Sequence, residues 1–93
     1  MGFSSDVKGT RLAASGAIFG GRSRIKGIYI VPSSNAGSVV IRDGGSGGTV
    51  VATIDTVANG TTVYLHIPED GLLCTTSSYA TLTNVTAITA FYA

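Results

Sequence analysis

The one histidine and the one cysteine, His66 and Cys74, are the residues whose types could do covalent chemistry. A thiolate activated by an imidazole is a nucleophile in principle. If the turn Pro68-Glu69-Asp70-Gly71 closes a hairpin centred on Asp70, Ile67 pairs with Leu73 and His66 with Cys74. No third group stands by to orient the imidazole, and no oxyanion site is evident, so the pair reads as a packed cysteine beside a strand histidine. One His and one Cys also fall short of a four-ligand metal site. The Gly-rich run at 43–48, DGGSGG, lacks the Gly-Lys-Ser/Thr ending of a phosphate loop and has no helix behind it. It reads as a hairpin connection. Asp6, Asp43, Asp55, Glu69 and Asp70 are scattered, and only Glu69 and Asp70 adjoin, in a turn that favours Asp for local hydrogen bonding. The expectation is a protein that is not an enzyme, with no catalytic residue, no cofactor and no metal.

The elements that hold these residues are short and β-branched. Residues 39–41, 49–54 and 61–67 form three runs of Val, Ile and Thr, separated by the Gly-rich run and by Ala58-Asn59-Gly60. Restricted χ1 suits such residues to a pleated surface, and Gly and Asn-Gly supply the positive φ of tight turns. We read an antiparallel meander with Val39 and Ile41, then Val50, Ala52 and Ile54, then Val63, Leu65 and Ile67 each sharing a face. Before it, residues 23–32 make a strand with Ile28 and Ile30 on one side and Tyr29 and Val31 on the other. Gly27 breaks its alternation and marks a bulge. Residues 72–75, 79–82 and 85–92 complete the pattern, the last with Ile88 and Tyr92 on one face and Phe91 on the other. Seven or eight strands about ten residues apart, with no convincing helix, predict an all-β fold: a small antiparallel sandwich, jelly-roll-like. Residues 1–21 read as an extended N-terminal arm and first short strand, or equally as a loosely packed edge strand, and 22–93 as the β-sandwich domain.

Composition adds a hint of partners. Formal net charge is +1 across 93 residues, and only 12% are charged, about half the usual ~25%. That balance recruits neither nucleic acid nor an anionic membrane. Gly accounts for 13 residues, which fits many turns. One cysteine cannot form an internal disulfide, and Gly2 to Asp6 do not read as a signal peptide. So little charge on a small domain predicts that other chains cover part of its surface. The candidate contacts are the arm residues Phe3, Val7, Ile18 and Phe19, the basic strand start Arg22, Arg24 and Lys26, and the C-terminal aromatics Phe91 and Tyr92. Nucleic-acid binding would need more basic residues interleaved with exposed aromatics.

Three segments, GIYIVP at 27–32, RDGGSGGT at 42–49 and ATLTNVTAITAFY at 80–92, resemble small virion structural proteins of tailed, marine-type bacteriophages. The resemblance spans about residues 24–92, and its motifs are turn and strand residues. It implies a β-rich particle component: a capsid decoration (cement) protein, as a homo-oligomer with a trimer favoured, bound to the phage major capsid protein. The alternative it implies is a small tail component, an adaptor or fibre-associated module that binds a neighbouring tail protein or host glycan. Either is assembled in the host cytoplasm and resides in the virion, with no nucleic-acid or membrane partner. It implies no catalytic residues.

Overall fold

The ten-residue strand Ser23–Pro32 is the spine of one of two sheets. The computed structural model describes residues 7–68 and 70–93, and among them runs β1 (Lys8–Leu12), β2 (Gly16–Phe19), β3 (Ser23–Pro32), β4 (Gly37–Asp43), β5 (Thr49–Thr56), β6 (Val63–His66), β7 (Leu72–Cys74), β8 (Ser78–Thr83) and β9 (Val85–Tyr92). The first sheet has the order β1-β9-β3-β6, with β7 also paired to β3; the second has the order β2-β8-β4-β5. Every pairing is antiparallel. The all-β sandwich-like class is therefore as the alternation predicts, with nine strands.

The core forms where the alternating apolar faces of the two sheets meet. Ile25, Ile28, Ile30, Ile88 and Ala90 from the first sheet pack with Ile18, Val39, Ile41 and Ala80 from the second. Large residues stand opposite small ones at two places, Ile28 opposite Ala90 and Ile41 opposite Ala80, while Ile30 faces Ile88. Fully burying one such isoleucine contributes about 1.5–3 kcal/mol relative to leaving it exposed. The two sheets are also joined by a buried hydrogen bond of 3.0 Å from Ser23 Oγ to Ser78 Oγ.

Four readings of the sequence change. First, the meander is broken. β4 and β5 form the expected hairpin, but β6 belongs to the other sheet, where Val63 to His66 pair with Ile30 to Gly27. The connection at 57–62 is a corner, with Asn59 at φ 55° and its N–H donating to Ser33 O at 2.9 Å. Pairing there covers an edge of β3 that would otherwise be open beside Ile28 and Ile30.

Second, β6 and β7 do not form a hairpin with each other. β6 and β7 lie end to end along β3, with His66 opposite Gly27 and Leu72 opposite Ile25. The segment between them is an excursion opposite Lys26, pinned by Ile67 N–H donating to Lys26 O at 3.0 Å. Gly71 closes it at φ 79°, where a Cβ would run into the Ile25 carbonyl. Opposite the excursion, the β3–β9 register shifts between Ile25 and Gly27, the bulge that Gly27 signals.

Third, a shift between Ile41 and Arg42 places Val50 beside Arg42. Val50 is exposed, and Val51 packs against the core with Ala52 and Ile54. Fourth, of the two readings of the N-terminal stretch, residues 8–19 follow the edge strand, twice over, and not the arm. They supply β1 to the first sheet and β2 to the second. Residues 1–6, including Phe3, lie outside the described residues.

Candidate functional site

Two glycines let aromatic rings lie close on the outer face of the first sheet. Gly9, Phe91, Gly27 and His66 stand in one row across β1, β9, β3 and β6, and Arg11, Thr89, Tyr29 and Tyr64 in another. Neither glycine has a side chain to fill its place. The Tyr64 ring therefore lies over Gly27, and the Phe91 ring comes within 3.3 Å of where a Gly9 Cβ would stand. The result is a broad, shallow groove of about 520 Å³ lined by Val7, Lys26, Tyr29, Tyr64, His66 and Phe91. Tyr64 and Phe91 meet edge to face at 6.2 Å and 64°, and the Tyr64 and His66 rings lie 6.5 Å apart. Tyr29 is 45% exposed and Tyr64 52%. Among the described residues, no side-chain hydrogen bond holds Tyr29, Tyr64, His66 or Lys26 to another part of the chain, and the Tyr64 hydroxyl rests over Gly27.

Charge is divided between the sheets. The strands of the first sheet carry Lys8, Arg11, Arg24 and Lys26, four of the six Lys and Arg residues, and no Asp or Glu. Asp43 and Asp55 are in the second sheet, and Asp70 is in the excursion. Asp43 is fully engaged. It accepts from Thr75 N–H and Oγ–H at 2.8 Å each, from Thr76 N–H at 2.8 Å and from Ser77 N–H at 3.3 Å. The Thr76 and Thr75 N–H groups, with the Thr75 hydroxyl, favour the charged form and hold the carboxyl at about 2, below its ordinary 3.8.

Cys74 and His66 do not meet. Cys74 is fully buried and pairs with Ser23, whereas His66 is exposed and pairs with Gly27. Both strands align on β3 instead of on each other, which removes the register a hairpin would impose. Burial, then the nearby Asp43 carboxylate, pushes the Cys74 thiol up from its ordinary value. Such a thiol is a packing residue and a poor nucleophile. Among the described residues, no three His, Cys, Asp or Glu side chains cluster to hold a metal ion.

The predicted contact residues divide by place. Val7, Lys26 and Phe91 come together in the groove. Arg24 alternates with buried Ser23 and Ile25, so it points to the same outer side, and Arg22 is exposed just before β3. Phe19 and Tyr92 stack on one another at 5.2 Å. Ile18 is 4% exposed and belongs to the core, because its β2 neighbours Ala17 and Phe19 take the outward phase. Its side chain is not offered to a partner. Tyr29, Tyr64 and His66 are groove residues that a reading for contacts misses. Their signal was phase: each alternates with an apolar residue on the opposite face.

A second apolar place lies where the sheets part. Ile54 in β5 and Val57 just after it line, with Ile30 and Val63, an opening of about 250 Å³. Val57 is 69% exposed and Val63 48%. Comparison with known proteins returned no matching family model, no matching curated protein and no matching solved structure.

Proposed function

We propose that this chain is a structural protein of a tailed-bacteriophage particle, a capsid decoration protein that seats on the major capsid protein as a homo-oligomer, with a trimer favoured. The observation that carries the reading is apolar surface left uncovered on a domain with few charges. Val50, Val57, Val63 and Leu65 are all more than a third exposed along β5, β6 and the corner between them. Those strands are the outer edges of their two sheets. A face of this kind favours burial against another chain, at ~25 cal/mol per Å² before the costs of association. Many identical sites on a shell make modest contacts sufficient. With β6 and β7 counted as one interrupted strand, the chain crosses between the sheets at every connection except β4–β5. This winding supports the jelly-roll form of the sandwich, and the resemblance of residues 24–92 supplies the particle.

Quantitative gel analysis of purified particles tests the role. Hundreds of copies per particle are expected of a decoration protein. A dozen or so would overturn that role in favour of a tail adaptor or fibre-associated module, a second reading that the aromatic groove favours. Light scattering of the isolated chain checks the trimer.

A further inference from the structure

The groove on the first sheet has the makings of a ligand site, and its chemistry selects a class of ligand. Its volume falls in the range of small-molecule sites, which combine apolar walls with a few polar groups. Tyr64 and Phe91 form a corner, so an inserted ring meets the face of one and the edge of the other. Aromatic faces carry negative quadrupole charge. They attract the polarised C–H face of a pyranose, whose hydroxyls then point outward. The Tyr29 hydroxyl, the His66 imidazole and the Lys26 ammonium belong to side chains lining the groove and can meet those hydroxyls. Lys26 lines the groove, Arg11 and Arg24 share the face, and the strands of this sheet carry no carboxylate, with Asp70 in the segment opposite Lys26. Three cations on one face complement an anionic ligand, and charge-assisted hydrogen bonds to a carboxylate are the stronger kind.

We propose that the Tyr29–Tyr64–Phe91 groove, with Lys26 at its side, binds an acidic saccharide, a pyranose bearing a carboxylate such as a uronic acid within a surface polysaccharide. Single-stranded nucleic acid fits less well. It stacks successive bases on aromatic faces along a continuous basic track, whereas these two rings stand at 64° and the chain has net charge +1. The proposal goes beyond the particle role and does not rest on it. A chain that binds uronate but is missing from particles would keep the groove and lose the virion role.

The test is a titration of the full isotope-labelled chain, followed by amide NMR, with an alginate tetrasaccharide, with neutral cellotetraose and with oligothymidylate. Alginate is expected to shift the resonances of Lys26, Gly27, Tyr29, Tyr64 and Phe91. Tyr64→Ala should weaken it by roughly tenfold, as loss of a central aromatic anchor does. Lys26→Gln, which leaves every ring in place, should weaken it by about threefold, the scale of one exposed charge contact. Phe19→Ala, outside the groove, should bind as the parent does. Shifts that are absent or fall elsewhere overturn the proposal. So does cellotetraose binding as tightly as alginate, and so does tighter binding of oligothymidylate, which would make the face a nucleic-acid platform.

Discussion

The two sheets contribute alike to the core and differ on their outer faces. In the second sheet, Arg42 and Asp43 are bound within the chain, while Asp55 is exposed. Asp43 gathers four hydrogen bonds from the β7–β8 connection, and Arg42 donates to Thr81 Oγ at 3.2 Å and to Gly48 O at 3.3 Å. In the first sheet, Lys26, Tyr29, Tyr64, His66 and Phe91 line an outer groove, with the Tyr64 and Phe91 rings lying over two glycines. A polar group satisfied within the chain stabilises that chain, whereas one left facing outward on an apolar wall is available to a ligand. By this difference the second sheet holds the structure together, and the first presents a surface.

The largest effect should come from what the sheets share. Ile28→Ala removes a fully buried side chain packed between them and should cost about 2–5 kcal/mol. Chemical denaturation measures it, and a loss below about 1 kcal/mol would mean that the sheets are not jointly packed at Ile28. The comparison sharpens with acid. The folded Asp43 carboxyl titrates at about 2, against an ordinary 3.8. A depressed carboxyl contributes stability that is present above its unfolded value and lost as pH falls through its folded one. Melting temperature should therefore drop between pH 4 and pH 2 more steeply in the parent than in Asp43→Asn. Above pH 5 the variant should already be the less stable of the two, since an amide cannot accept in the same way from three N–H groups and a hydroxyl. Equal acid slopes would remove Asp43 as the latch of the second sheet.

Cys74 gives a kinetic version of the same contrast. Its thiol is buried, with its titration pushed upward by that burial and by Asp43. Alkylation by iodoacetamide at neutral pH should be negligible in the native chain and rapid in denaturant. Fast native labelling would mean that the end of the sandwich around β7 opens readily.

Much of the sandwich was legible because alternation is a local signal. Ile28 and Ile30 against Tyr29, and Ile88 and Tyr92 against Phe91, take the faces that period two assigns them. What alternation cannot carry is which strand is the neighbour. Residues 61–67 were as good a third meander strand as a partner for β3, and Ala58-Asn59-Gly60 as good a hairpin as a corner. The choice rests on covering the long edge of β3, a property of the assembled sheet. The turn at 67–71 misled for the same reason: Pro-Glu-Asp-Gly fits a hairpin, but the strand resumes along β3. The groove was legible in pieces. Val7, Lys26 and Phe91 stood out as contact residues, while Tyr29, Tyr64 and His66 came to them only through registers linking positions dozens of residues apart.

The smallest effect on stability should come from the groove. Tyr64 is half exposed, and replacing it with Ala should change stability by only about 0.5 kcal/mol, in the range of surface substitutions. Gly27→Ala is the finer probe. A Cβ there meets the Tyr64 hydroxyl and ring, with Tyr64 Cζ at 2.8 Å, so the side chain must swing away. The obstacle is the free end of a side chain, and the backbone of β3 is not obstructed. The variant should fold with nearly parental stability and differ mainly in the rings above residue 27. The Tyr64 aromatic resonances and their cross-relaxation to Phe91, which stands 6.2 Å away, should change while the core methyl resonances of Ile30 and Ile41 do not. If Gly27→Ala instead destabilises the chain as Ile28→Ala does, the outer face of the first sheet is as much a part of its packing as the inner one. The division between a sheet that holds and a sheet that presents would then fail.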